Sequence, residues 1–121
     1  MIGYVSLGTN NLAVAAAFYD ALFAEIGAKR MWEVKRGIGW GMGSDPTFSI
    51  LQPFDGNAAS VGNGVMVAFS VDARDKVNKM YNKALELGAK DEGALGLRGD
   101  NFYAGYFRDL DGNKLCIYCE S

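Results

Sequence analysis

A chain of 121 residues with formal charge −2, 50% hydrophobic and 21% charged, has the size and make-up of one globular domain whose core needs no disulfide staples. No basic cluster is present, which argues against nucleic acid and against an anionic membrane surface as partners. There is no histidine, so Ser–His and Cys–His catalysis, and the commonest neutral metal ligand, are excluded.

The first residues, MIGYVSLGTN, read as a strand with Val5, Leu7 and Thr9 on one face and Tyr4, Ser6 and Gly8 on the other. They lack the basic start and continuous apolar run of a signal peptide, so a cytoplasmic protein is expected. A helix is predicted over 11–26. Asn10 or Asn11 can cap it, Leu12, Ala15, Tyr19, Leu22, Phe23 and Ile26 share a face, and Gly27 supplies the left-handed end. Its apolar stretch is interrupted by Asp20 and Glu25 before a bilayer is spanned. Segments 29–36, 38–43 and 47–53 carry the aromatic and branched residues of strands. The Gly-, Asn- and Ser-rich run around 55–63 reads as a linker.

Beyond it the pattern repeats. VSLGTNNLAVAAAFYD (5–20) lies over VAFSVDARDKVNKMYN (67–82), and both predicted helices run into Gly-Ala-Lys, at 27–29 and 88–90. The second helix is expected over 73–87, followed by strands near 90–97, 101–108 and 113–119. Each half is then strand, helix, strand, strand, strand: module one about 1–54, module two about 64–121, in a single domain. The large aliphatic faces, Val67 and Phe69 or Leu115 and Ile117, are expected under each helix, leaving a smaller, more polar face open.

Two βαβββ modules in tandem, with MIGYVSLGTNNL at the start, GVMVAFSVD in the centre and YFRDLDGNKL near the end, resemble the vicinal oxygen chelate superfamily. It includes glyoxalases, bleomycin-resistance proteins, fosfomycin-resistance enzymes and extradiol dioxygenases. The resemblance covers essentially the whole chain, and the D-x-D-G-N turn is its most specific piece. It implies an α+β fold with a cupped, mixed, mostly antiparallel eight-stranded sheet and two helices outside. In the metal-dependent members, histidines on the first strand of each module and carboxylates on the last hold a divalent ion. The histidine positions fall here on Tyr4 and Met66, and the carboxylate positions near Ser49 and on Cys116. Tyr, Met, Ser and Cys are a poor shell for Mg, Mn, Ni or Fe, so neither metal nor cofactor is expected.

Cys116 and Cys119 spell C-x-x-C, but residues three apart on a strand point to opposite faces. A redox pair works from a helix N-terminus; here Cys119 is expected in the core and Cys116 in the cavity. Tyr4, Ser49, Met66, Cys116 and Tyr118 are the expected cavity lining. Trp40, within the alternating glycines of GIGWGMG, is either a stacking wall or a core residue. Arg98 and Tyr103, in LRGDNFY, are placed at the cavity mouth, with Arg98 (and Arg36 in the same role) able to hold an anion or to lie free on the surface. The expected function is binding of a small organic molecule, with a homodimer as the assembly. The alternatives are a lyase, isomerase or dioxygenase relative acting through Tyr4 or Cys116, and a structural module that binds another protein.

Overall fold

The computed structural model describes residues 1–44 and 46–121. Eight strands and two helices follow in the order β1 (Tyr4–Gly8), α1 (Leu12–Ala24), β2 (Lys29–Val34), β3 (Gly37–Gly41), β4 (Thr47–Leu51), β5 (Val67–Ser70), α2 (Arg74–Glu86), β6 (Lys90–Leu97), β7 (Phe102–Arg108) and β8 (Lys114–Glu120). The chain divides into two compact units, Met1–Val61 and Gly62–Ser121. Each holds one βαβββ module with a four-stranded sheet, β1-β4-β3-β2 in the first and β5-β8-β7-β6 in the second. The first and last strands of each module pair in parallel, and the other pairings are antiparallel.

Module one begins with a built helix start. Asn11 Oδ1 accepts from Val14 N at 3.1 Å, while Thr9 Oγ1 accepts from Asn11 N at 3.1 Å, so orphan amides of the first turn are satisfied. Ala15, Ala16, Phe18, Tyr19, Leu22 and Phe23 form the buried stripe of α1. Tyr19 meets Phe48 at 4.9 Å, Trp40 at 5.5 Å and Phe23 at 5.6 Å between ring centroids. Asp20 ties helix to sheet: its carboxylate accepts from Trp40 Nε1 at 2.9 Å and from Arg30 at 2.9 and 2.7 Å. The Arg30 bonds hold the Asp20 carboxyl below its ordinary range, against the opposing effect of burial.

Module two repeats the plan with other side chains. The residue before α2 is Ala73, which offers no side-chain cap, and the Asp72–Lys76 ion pair at 2.8 Å braces the first turn instead. Val77, Met80, Tyr81 and Ala84 are buried under α2. A Cβ on Gly105 would lie 2.7 Å from Tyr81 Cδ1, so glycine there lets the ring lie on β7. Tyr81 donates its hydroxyl proton to Asp91 Oδ1 at 2.7 Å, and burial first, then this bond, pushes its pKa up to about 12. Gly27 and Gly88 have φ of 76° and 105°, the left-handed conformation expected where both helices end.

The D-x-D-G-N turn is held by one carboxylate. Asp109 Oδ1 accepts from the amides of Asp111 and Asn113, each at 2.9 Å, and Oδ2 accepts from Asn113 Nδ2 at 3.0 Å. This closes the loop with Arg108 paired to Lys114, which fixes the register of β7 on β8.

Candidate functional site

Each sheet has one face under its helix and one open face, and the register says which residues share the latter. In module one the row Ser6–Ser49–Gly39–Trp32 crosses all four strands. Trp32 lies over Gly39, where a methyl group would sit inside its ring, and its Nε1 donates to Thr47 Oγ1 at 3.2 Å. Tyr4, 63% exposed, meets Trp32 edge-on at 6.2 Å. Ser49 is buried, and its hydroxyl donates to Val5 O at 2.7 Å. The middle of this face is aromatic, with hydroxyls along β1 and β4, and Lys29 lies on it at the β2 edge.

The open face of module two is cationic. Cys116 pairs with Ala68 on one side and Tyr106 on the other. The Arg98 guanidinium carbon stands 5.3 Å from the Tyr106 ring centroid, and Lys114 Nζ stands 5.8 Å from it. Arg98 is anchored there by its bonds to the carbonyls of Ala94, Gly96 and Ala104. Beside them Tyr118 stacks on Phe102 at 4.8 Å and 18°. Cys116 is 1% exposed, and burial pushes its thiol pKa up; the Tyr106 hydroxyl and the charges of Arg98 and Lys114 oppose this only in part. Tyr106 is raised as well, by burial first and then by its contact with Cys116. The pair is therefore a neutral thiol beside a neutral phenol at pH 7.

Of the residues the sequence singled out, Tyr4 and Ser49 lie on the open face of module one, and Cys116, Tyr118 and Arg98 on that of module two. Met66 is exposed just ahead of β5. Trp40 is 2% exposed on the helix side, bonded to Asp20, so the core alternative is its true setting. Tyr103 also faces the helix, contrary to the cavity-mouth expectation. Its hydroxyl donates to Asn78 Oδ1 at 2.6 Å and Arg74 covers its ring. Tyr106 takes the open-face position instead, and Trp32 does so in module one. Both were missed from the sequence, though the hairpin registers on either side of them carry the signal. Cys119 is buried opposite Tyr103 on the helix face, away from Cys116, and both thiols are free.

The family model of the Glyoxalase/Bleomycin resistance protein/Dioxygenase superfamily matches residues 1–117. The chain belongs to this superfamily. A glyoxalase/bleomycin resistance protein from Albidiferax ferrireducens is 30% identical, with TM-score 0.92 over 100% of this chain and 99% of that one. A lactoylglutathione lyase from Agrobacterium tumefaciens (19% identity, TM-score 0.72, 98% and 92% covered) and a fosfomycin resistance protein from Listeria monocytogenes (14%, 0.76, 100% and 93%) share the fold. No curated protein sequence matches significantly.

The superfamily's divalent metal finds little to hold it. Among the described residues no three His, Cys, Asp or Glu side chains come together as a shell. At the superfamily positions, the Ser49 hydroxyl is engaged with Val5 O and Cys116 is a buried neutral thiol, whereas metals bind the thiolate. The donors do not fit a hard divalent ion.

Proposed function

We propose that this superfamily member binds a small organic molecule, and that it does so through ring, hydroxyl and cation contacts rather than by chelation to a metal. The observation that carries this reading is the Tyr106–Cys116 pair. Cys116 stands at the last-strand position that carries a carboxylate in the metal-dependent members, and Tyr106 pairs with it from β7, between the cations Arg98 and Lys114. Such a face offers the Tyr106 ring and its hydroxyl oxygen, two positive charges and the Phe102–Tyr118 stack, and it suits a ligand with an electron-rich or anionic group on an apolar body. The buried neutral thiol weighs against Cys116 as a nucleophile. Strands β1, β2, β5 and β6 are edges of their sheets, which a second copy of the chain can cover, and the same reading takes the protein as a homodimer.

Native mass spectrometry of the purified protein, followed by a thermal-shift screen of small molecules, tests the reading. A hit should weaken on Tyr106→Phe and Lys114→Gln and be unchanged by EDTA. A hit indifferent to both substitutions, or abolished by EDTA, overturns it.

A further inference from the structure

A second place, in module one, has the makings of a site, built from other residues than the Tyr106–Cys116 face of module two. Two adjoining clefts of about 380 and 400 Å³ flank the segment that follows β4, and Arg36, Gln52, Pro53, Phe54 and Ala58 line both. Their shared feature is a cation on an exposed ring: the Arg36 guanidinium carbon lies 5.2 Å from the centroid of Phe54, which is 90% exposed. The Arg36 carbonyl accepts from Gln52 N at 2.7 Å, and its side chain donates from Nη1 to Gln52 O at 2.7 Å, which leaves Nε and Nη2 as donors for another acceptor.

The wall of the first cleft is the linker itself. Ala59 N donates to Asn10 Oδ1 at 2.7 Å and Asn10 Nδ2 donates back to Ala59 O at 3.4 Å. The linker can come this close because Gly8 has no side chain: a Cβ there would stand 3.0 Å from Ala59 Cβ. Leu51 and Pro53 add apolar lining and Ser6 a hydroxyl, and Asp55 adds a carboxylate that accepts from Asn57 N at 2.9 Å. The cleft runs along β1 from Ser6 to Gly8, at the end of the strand away from Tyr4, and at Ser6 it adjoins the open face of module one.

We propose that this cleft is a binding site for small organic carboxylates. The carboxylate takes the unused guanidinium edge of Arg36, an apolar or aromatic body lies against Phe54 and Leu51, and the Asn10–Ala59 clasp holds the linker wall in place. Guanidinium is the side chain whose fork matches a carboxylate, and a ring already under a cation is a ready surface for a second planar group.

The test is a titration of the full chain with benzoate, followed by amide-resolved NMR, with benzamide as the uncharged isostere. Benzoate should shift amides of Arg36 and of residues 51–60 saturably, and benzamide should bind far more weakly. Arg36→Gln should weaken benzoate about tenfold, equivalent to about 1.4 kcal/mol, and remove the preference over benzamide. Phe54→Ala removes a ring that is 90% exposed, so it keeps the test open if Arg36→Gln fails to fold; it too should weaken benzoate. Asn10→Ala should raise its dissociation rate. Absence of saturable shifts, shifts mapping to β7 and β8 alone, or benzoate affinity unchanged by both Arg36→Gln and Phe54→Ala would overturn the proposal. Shifts confined to β7 and β8 would reject this cleft while supporting the face around Tyr106, and loss of benzoate binding on Arg36→Gln leaves that face untouched, so the two readings fail separately.

Discussion

Replacing Gly39 by alanine should be costly for one reason only, the ring of Trp32. The three atoms nearest a new Cβ are Trp32 Cε2, Nε1 and Cζ2, all of them too close to tolerate it, and no other residue is among them. Gly39 is not among the glycines with positive φ, so its backbone suits alanine. The ring must move, which breaks its bond to Thr47 Oγ1 and its edge contact with Tyr4. Overpacking of roughly 1–3 kcal/mol, with about 1 kcal/mol for the hydrogen bond, predicts a loss of about 2–4 kcal/mol. In a Trp32→Ala background the clash is absent. There Gly39→Ala should be neutral or stabilising by about 0.5 kcal/mol, because alanine restricts the unfolded chain. Urea denaturation of the four proteins closes the cycle, and the coupling should exceed about 2 kcal/mol. Additive effects, or an unchanged Trp32 emission in Gly39→Ala, would refute the stacking of Trp32 on Gly39.

Asp109→Ala removes three hydrogen bonds from the β7–β8 turn, two of them to the buried Asn113; denaturant unfolding should show a loss of roughly 2–4 kcal/mol, and less than about 1 kcal/mol would contradict the role given to the carboxylate. Tyr81 loses its proton at about pH 10 when unfolded and about pH 12 when folded, so the folded state binds more protons between the two and stability falls as pH rises through that window. Tyr81→Phe should flatten this alkaline limb in urea midpoints measured against pH, and parallel limbs would reject the assignment. Native protein should leave both thiols unreactive to a disulfide reagent at pH 8, and both should react in urea, since Cys116 and Cys119 are each 1% exposed; a fast native thiol, or a disulfide on isolation, would contradict the placement. The homodimer is checked by light scattering, where a 13.1 kDa particle at micromolar concentration would reject it.

Local physics made the modules legible. The helices ended at left-handed glycines, the apolar stripe of α1 had helical period, and the second half repeated the first with the same order of elements. Register was harder. β2 and β3 join through the two residues Lys35 and Arg36, so Val34 faces Gly37 and Trp32 faces Gly39. The glycine alternation of GIGWG thus makes room for a tryptophan on the neighbouring strand, not for Trp40. A bulge between Arg30 and Trp32 then sends Arg30 to the helix side, and nothing in the composition of that segment marks it. On β7 the choice between Tyr103 and Tyr106 was one of parity. Closing the D-x-D-G-N loop at Arg108 and Lys114 sets Tyr106 across from Cys116, so the turn already contained the answer.

The repeat preserves devices more faithfully than residues. Each module ties its helix to its sheet by a carboxylate bonded to a buried aromatic. In module one the acid, Asp20, is on the helix and the aromatic, Trp40, on the strand; in module two Tyr81 is on the helix and Asp91 on the strand. The exchange is tolerated because packing asks only that the donor be satisfied and the volume filled. The open faces share no common device: one module carries Tyr4, Trp32 and hydroxyls and the other carries Arg98, Lys114 and the Tyr106–Cys116 pair. Divergence there, against a helix side held to one plan, is what selection on ligand chemistry would leave. It is also why the scaffold could be read from a repeat while the site had to be read from each strand's register.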